Sequence, residues 1–155
     1  PTELITAARS VNRTMPIHVA GVLNELLYRA GVPSGEGKIL LLGWSYKAEV
    51  GDPRETPAEP LFEALQSKNI SVASWDPHLV ESDFPEGVEV ITDIDSAEGF
   101  DVVVLVTAHK ACLEIDYEKL ASRMRNAIFY DGRRVMDLDS LQEMGWQIHA
   151  VGRPL

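Results

Sequence analysis

The chain has 155 residues, of which 45% are hydrophobic and 25% charged, a composition typical of one globular domain with its own core. Its formal net charge of −10 argues against a nucleic-acid partner, because binding many phosphates requires a basic face. No apolar run approaches the roughly 20 residues of a membrane helix, and no signal-peptide pattern opens the chain, so we expect no membrane partner.

The first 31 residues are predicted to form a helical appendage, since apolar residues recur at helical spacing from about Glu3 to Ala30. Pro16 interrupts this pattern and predicts a kink or a division of the helix, because proline removes one backbone donor and crowds the preceding turn. The glycine-rich segment 31–37 predicts a linker. Because the chain opens at Pro1 without an initiator methionine, we expect Pro1 to be a cut end of a larger protein.

After the linker, strands alternate with helices, the sequence pattern of a parallel sheet covered on both faces. The predicted strands are 38–42, 70–75, 88–91, 101–107, 127–130 and 146–151. The predicted helices are 57–67 with Thr56 as its N-cap, a brief one ending within 96–99, 117–124 opened by Asp116, and 138–144 closed by Gly145. Right-handed crossovers favour the strand order 3-2-1-4-5-6. Residues 38–155 are therefore predicted to form a three-layer, Rossmann-like α/β domain with helices on both faces of the sheet.

In such a sheet the ligand binds beyond the carboxyl ends of the strands, near the switch between the first and fourth strands. Four segments converge on that edge, namely 43–54, 76–78, 107–110 and 131–134. The first segment stands where a phosphate loop is expected, yet it lacks the G-x-G-x-x-G pattern. Lys47 and Arg54 occupy positions where glycines are expected. We therefore predict a phosphate-binding loop that supplies charge through side chains rather than through close backbone approach.

The charged residues of this loop also have structural interpretations. Lys47 suits a phosphate as a point charge, or it is a solvated loop lysine. Arg54 contacts a ligand, or it forms a local ion pair with the neighbouring Asp52 or Glu55. Asp52 itself is interpreted as an acceptor that organises the loop.

The segment after the fifth strand carries two adjacent arginines, Arg133 and Arg134. Because adjacent residues point in opposite directions, only one is expected to reach the ligand, and the other is expected to pair with Asp137 or Asp139. Asp76 stands where a ribose-binding carboxylate would follow the second strand, although Asp-Pro is also a common turn opener.

The remaining polar candidates point away from catalysis. His109 has no partner at a recognisable spacing, so a binding or structural role is expected. Cys112, the single cysteine, is expected to be a buried packing thiol, because only Lys110 is near enough in sequence to lower its pKa. A lone cysteine fits a reducing compartment, and the cytoplasm is the expected location. No zinc spacing joins this cysteine to the histidines, so neither a metal site nor a catalytic residue is predicted.

Five motifs keep their order along nearly the whole chain. They are Gly43-x-x-Tyr46-Lys47-x-x-x-x-Asp52-x-Arg54-Glu55-Thr56-Pro57-Ala58, Trp75-Asp76-Pro77, Thr107-x-His109, Asp131-x-Arg133 and Gly145-Trp146-x-Ile148-x-x-x-Gly152. Together they resemble the C-terminal domain of the UDP-glucose/GDP-mannose dehydrogenase family. Residues 1–31, with Ala8-Arg9-x-x-Asn12-x-x-Met15-Pro16, are similar to the end of the central dimerisation helix of that family. The pair Met15-Pro16 favours the branch that oxidises UDP-N-acetylhexosamines.

Members of this family use NAD to oxidise the C6 alcohol of a nucleotide sugar to a carboxylate. The resemblance implies that Lys47 holds the phosphates of a UDP-sugar, that Tyr46 lines the same pocket and that Arg133 contacts the UDP portion. It implies that Arg54 reaches toward NAD, and that a homodimer forms through the N-terminal helix. The NAD-binding domain and the reactive cysteine of the family precede that helix, so the chain alone is expected to be inactive.

A free-standing Rossmann-like module that binds a nucleotide or CoA for regulation is the alternative interpretation. The upstream reading frame distinguishes the two, because only the dehydrogenase requires a preceding glycine-fingerprint domain. The residues leave open which sugar is oxidised and whether the base is UDP or GDP.

Overall fold

The computed structural model describes residues 2–155, with side chains from Thr14 onward. The strands are β1 Lys38–Leu42, β2 Ser71–Trp75, β3 Glu89–Val90, β4 Val102–Leu105, β5 Ile128–Asp131 and β6 Gln147–Ala150. They form one parallel sheet in the order β3-β2-β1-β4-β5-β6, which confirms the predicted topology. The helices are α1 Thr2–Arg29, α2 Ala58–Ser67, α3 Lys110–Leu113, α4 Tyr117–Arg123 and α5 Leu138–Glu143.

The sheet separates two hydrophobic cores, as the alternation of side chains along β1 shows. Ile39 and Leu41 face the core that includes α1 and α2, whereas Leu40 and Leu42 face the core that includes α4 and α5. The second half of α1 belongs to the first core, where Leu23 is fully buried. Each such leucine contributes about 1.5–3 kcal/mol through burial. The C-terminal half of α1 is therefore packed on the sheet.

The structure corrects several sequence-based boundaries. Helix α1 runs through Pro16 as one element, so the proline does not divide it. The N-cap of α2 is Pro57 rather than Thr56, although the Thr56 hydroxyl still accepts a hydrogen bond from the Ala58 N–H at 3.1 Å. Asp116 accepts from the Lys119 N–H as a cap of α4, as predicted. Strand β4 is shorter than the predicted 101–107, because the chain leaves the sheet after Leu105.

Two short helical segments also differ from the predictions. A 3₁₀ turn at Ile94–Ser96, capped by Asp93, replaces the brief helix expected to end within 96–99. Helix α3 was not predicted, because a segment of one turn is too short to show a hydrophobic period. Within the described part of the chain, no helix combines the length and the apolar character of a membrane span.

Gly43 connects β1 to the loop that carries the candidate site. Its φ is +86°, a left-handed conformation that glycine adopts without steric cost. A Cβ at this position would lie 2.5 Å from the Thr107 Cβ and 2.6 Å from the Thr107 carbonyl oxygen. Only glycine therefore allows the loop after β1 to pass this close to the chain after β4.

We expect Gly43→Ala to lower the free energy of unfolding by about 2 kcal/mol or more, through backbone strain together with overlap with Thr107. Gly21→Ala is the matched control, since a Cβ at this α1 position meets nothing within 4 Å. It should raise the free energy of unfolding by about 0.5–1 kcal/mol, because alanine is the better helix former. Urea denaturation measures both changes, and a neutral Gly43→Ala variant would contradict this account.

Candidate functional site

A buried aspartate organises the loop after β1. The side chain of Asp76 is fully buried, and its Oδ2 accepts hydrogen bonds from the N–H groups of Trp44 and Ser45 and from the Ser45 hydroxyl, each at 2.8 Å. The His109 Nε2 lies 2.9 Å from the same oxygen. The Asp76 Oδ1 accepts from the His78 N–H at 2.8 Å. These contacts favour the structural interpretation of Asp76 over a contact with a ribose.

The charge of Asp76 is maintained by these donors. Burial raises the pKa of Asp76, but the N–H groups of Trp44, Ser45 and His78 together with the Ser45 hydroxyl outweigh it and lower the pKa below its ordinary value. The carboxylate is therefore ionised at neutral pH. A buried ionised carboxylate requires its donors to stay in place, so it fixes the backbone that follows β1.

His109 is a structural residue at the end of β4. The ring is fully buried, and its Nδ1 accepts a hydrogen bond from the Glu49 N–H at 2.9 Å. The proton of the neutral ring is therefore on Nε2, which donates to Asp76. Both ring nitrogens are engaged within the protein, in agreement with the predicted binding or structural role.

The loop after β1 lies on a floor made by the ends of β2 and β4. The Thr107 hydroxyl donates to the Ser45 carbonyl oxygen at 2.6 Å. A Cβ on Gly51 would lie 2.3 Å from the His78 carbonyl oxygen, so the loop backbone approaches the end of β2 without any side chain between them. The Tyr46 N–H donates to the Asp52 carbonyl oxygen at 2.8 Å and closes the turn 46–52. The predicted convergence of these loops at the carboxyl edge is thus observed.

The turn 46–52 presents Lys47 and Tyr46 to solvent. The Lys47 Nζ lies 5.7 Å from the centroid of the Tyr46 ring, and Tyr46 is 50% exposed. Among residues 14–155, Lys47 forms no ion pair with a carboxylate. An ammonium group that no carboxylate neutralises is chemically suited to bind a phosphate.

Arg54 forms the local ion pair that was one of its two interpretations. Its Nε lies 2.9 Å from the Asp52 Oδ1 and one terminal nitrogen 3.0 Å from Oδ2. The hydrogen bonds from the Arg54 side chain lower the pKa of Asp52 to about 2. The Arg54 side chain is 84% exposed, and exposed pairs of this kind exchange partners at little cost. Asp52 is the loop-organising acceptor that the sequence predicts.

Asp131 organises the loop after β5 as Asp76 organises the loop after β1. Its Oδ1 accepts from the N–H groups of Arg133 and Arg134, each at 2.8 Å. Its Oδ2 accepts from the Val135 N–H at 2.9 Å and the Met136 N–H at 2.8 Å. The turn so formed leaves both arginine side chains exposed. The sequence analysis did not predict this role for Asp131, although an Asp-Gly pair is a turn signal and here stands at the end of β5.

The predicted ion pair of one arginine with Asp137 or Asp139 is wrong for the described residues, where neither arginine is paired. Asp137 instead caps α5, accepting from the Ser140 N–H at 3.1 Å and the Ser140 hydroxyl at 2.9 Å. Arg134 points to the C-terminal segment, where its Nη1 would lie 3.5 Å from a Cβ on Gly152.

Cys112 is fully buried, and burial raises the pKa of its thiol to about 12, which confirms a packing role. A cluster that the sequence did not predict lies nearby, where ligand atoms of Glu49, His78 and His109 come within 4.8 Å of one another. The three residues belong to separate loops, so no spacing pattern could reveal it. Because both ring nitrogens of His109 are already engaged, we interpret the cluster as a hydrogen-bonded contact between loops.

Two cavities flank Trp75 at the end of β2. The larger, of about 570 Å³, extends to α3 and α4 and includes Glu114 and Lys119. The smaller, of about 310 Å³, is lined mainly by the segment after β2 and includes Phe84. Lys47, Arg54 and Arg133 line neither cavity but lie on the open surface beyond the sheet. All three side chains are exposed to solvent.

A parallel sheet in the observed strand order, with cationic loops beyond its carboxyl edge, defines a doubly wound α/β ligand-binding domain. The sequence model of the "UDP-glucose/GDP-mannose dehydrogenase family, UDP binding domain" matches residues 40–138. The chain belongs to this family, and the resemblance inferred from its motifs is confirmed.

Individual relatives agree with this membership. The chain is 31% identical over 150 residues to a UDP-N-acetyl-D-mannosamine dehydrogenase of Pyrococcus horikoshii, and the match covers 97% of the chain and 34% of the relative. The solved structure of UDP-D-ManNAc dehydrogenase from that organism gives a TM-score of 0.81 at 29% identity, covering 97% of this chain and 34% of that one. An NDP-N-acetyl-D-galactosaminuronic acid dehydrogenase from Methanosarcina mazei gives 0.82 at 28% identity, covering 96% and 31%. The chain thus spans about a third of the length of these relatives.

Replacing Asp76 with Asn is expected to lower the free energy of unfolding by about 3 kcal/mol at neutral pH, because the amide places its own N–H group among buried donors. The pKa of Asp76 is lower in the folded chain than in the unfolded chain. Its stabilising contribution is therefore complete above the unfolded pKa of about 3.9 and is lost as the pH falls through the lower folded pKa. The difference between the two proteins should shrink below about pH 4.

Urea denaturation at neutral and acidic pH tests this expectation, with Asp95→Asn as the control. Asp95 is exposed, and its carboxylate has no hydrogen-bond donor among the described residues. We expect the control to change the free energy of unfolding by less than about 0.5 kcal/mol. Equal losses in the two variants would show that Asp76 does not organise the loop.

Proposed function

We propose that this chain is the UDP-binding part of an NAD-dependent UDP-sugar 6-dehydrogenase, which oxidises the C6 alcohol of the sugar to a carboxylate. The observation that carries the proposal is the unpaired ammonium of Lys47 on a turn fixed beyond the carboxyl edge of the sheet. Lys47 would hold the phosphates of the UDP-sugar, with Tyr46 lining the same pocket. Arg133, exposed and unpaired after β5, would contact the UDP portion.

The rest of the enzyme would come from outside this chain. The cations lie on an open surface, as expected for one wall of a cleft whose other wall belongs to an NAD-binding domain. Arg54 would leave its exposed pair with Asp52 and reach toward NAD across that cleft. Cys112 cannot serve as the nucleophile, because burial raises its pKa to about 12. The chain alone would therefore bind part of the substrate and catalyse nothing.

The relatives support a proposal for the substrate class. The relative from Pyrococcus horikoshii is described as acting on UDP-N-acetyl-D-mannosamine, and this chain resembles it along almost its whole length. We therefore propose a UDP-N-acetylhexosamine as the substrate and the cytoplasm as the location. Assay of the complete reading frame with UDP-N-acetylmannosamine and NAD tests the activity. A natural gene without a glycine-fingerprint domain before this chain would contradict it.

Lys47→Ala should weaken UDP binding by about 1–3 kcal/mol, the usual contribution of a hydrogen bond to a charged group. Lys68→Ala is the matched control, because Lys68 is an exposed lysine at the opposite end of α2. Titration calorimetry of the complete protein with UDP measures both. Equal affinities for UDP in the Lys47→Ala variant and the unsubstituted protein would show that Lys47 does not contribute to the UDP site.

We also propose a homodimer through α1. On one face of this helix, Ile17 and Tyr28 are 61% and 78% exposed. A second copy that covers these side chains would remove apolar surface from water. Ile17→Glu should then abolish association in sedimentation velocity, whereas Val80→Glu, at a 65% exposed position elsewhere, should not. A strict monomer at high concentration, or a dimer unaffected by Ile17→Glu, would contradict this proposal.

A further inference from the structure

Glu49 joins the turn 46–52 to both neighbouring loops. Its carboxylate accepts hydrogen bonds from the Lys110 N–H at the start of α3 and from the His78 Nε2 at 2.9 Å. Its own N–H donates to the buried His109 ring at 2.9 Å. One residue thus connects the turn to the loop after β2 and to the loop after β4.

Glu49 holds a backbone conformation that is uncommon for its residue type. Its φ is +65°, in the left-handed region where a side chain other than that of glycine is disfavoured. Such a conformation persists only where the surrounding contacts determine it. The contacts to His78, His109 and Lys110 supply that constraint.

Lys47 belongs to the same turn, and its side chain is exposed. The Val50 N–H donates to the Lys47 carbonyl oxygen at 3.3 Å, so the backbone from Lys47 to Val50 forms one tight turn with Glu49 inside it. The Glu49 side chain contacts the floor, while Lys47 lies exposed beside the Tyr46 ring. The contacts of Glu49 therefore restrain the backbone turn that carries the Lys47 side chain.

The sign of the charge separates a positioning role from a direct one. A carboxylate two residues from Lys47 repels a bound phosphate, so by charge alone Glu49 weakens phosphate binding. Any loss of affinity on removing Glu49 must therefore come from the loss of its hydrogen bonds.

We propose that Glu49 is a positioning residue that holds Lys47 toward the phosphates by tying its turn to His78 and Lys110. This rests on the proposed function, since it assumes that Lys47 binds the phosphates of UDP. Glu49 itself does not contact the ligand.

The test compares Glu49→Ala with Glu49→Gln in the complete protein. Glu49→Ala keeps a non-glycine residue at the left-handed position but removes both side-chain contacts, so the UDP dissociation constant should rise about tenfold. Glu49→Gln keeps an oxygen for the Lys110 N–H and an amide for His78, and it removes the repulsive charge. Its affinity for UDP should equal or exceed that of the unsubstituted protein.

Two further variants complete the experiment. The double variant Lys47→Ala/Glu49→Ala should bind UDP no more weakly than Lys47→Ala alone, because Glu49 acts only through Lys47. Glu98→Ala is the matched control, since Glu98 is exposed near the opposite edge of the sheet and should leave UDP binding unchanged. Thermal melting should show similar transitions for the Glu49 variants and the unsubstituted protein, because the Glu49 side chain is 52% exposed.

The outcomes separate this inference from the function on which it rests. If Lys47→Ala weakens UDP binding but Glu49→Ala does not, the positioning role is wrong and the proposed function stands. If Glu49→Gln weakens binding as much as Glu49→Ala, the hydrogen bonds that glutamine keeps do not position Lys47, and the positioning role is again wrong. If the unsubstituted protein binds no UDP, both proposals fail.

Discussion

The buried carboxylate of Asp76 is the constraint on which the candidate site depends. It accepts hydrogen bonds from the backbone N–H groups that follow β1 and from the ring of His109, which follows β4. The chain therefore leaves both central strands beside the same buried charge. Glycines at the points of closest approach let the backbones meet around it, with Gly43 against Thr107 and Gly51 against the end of β2. The rigid floor of the cleft is therefore built from a desolvated anion and its donors. The exposed turn that carries Lys47 follows directly after Trp44 and Ser45.

This arrangement explains why the loop needs no glycine-rich fingerprint. In a dinucleotide loop the backbone N–H groups approach the pyrophosphate directly, which requires glycines at the contact. Here the N–H groups of Trp44 and Ser45 point inward to Asp76 and are not available to a ligand. Charge for a ligand must then come from side chains. Among the residues whose side chains are described, Lys47 after β1 and the two arginines Arg133 and Arg134 after β5 form no ion pair. A second internal carboxylate, Asp131, has the same function after β5.

The fold could be predicted from the sequence because its signals are local and periodic. The apolar run of β1 and the dense β-branched run of β4 mark buried parallel strands, and the handedness of the crossovers then gives the strand order. The edge where the loops meet followed from that topology. Contacts between loops could not be predicted in this way, because residues such as Glu49 and His78 are 29 positions apart and belong to no spacing pattern. The predicted ion pair of an arginine with Asp137 is wrong for a different, local reason, because Asp137 caps α5 by accepting hydrogen bonds from Ser140.

The central claim is that UDP binds on the open surface beside the Asp76-anchored loop rather than in a closed cavity. A crystal structure of the complete protein with bound UDP tests it most directly. We predict phosphate oxygens within hydrogen-bond distance of the Lys47 Nζ, Arg133 in contact with UDP, and the Trp44 and Ser45 amides still bound to Asp76. UDP seated in the cavity of about 570 Å³ between Trp75 and α4, away from Lys47, would contradict the account.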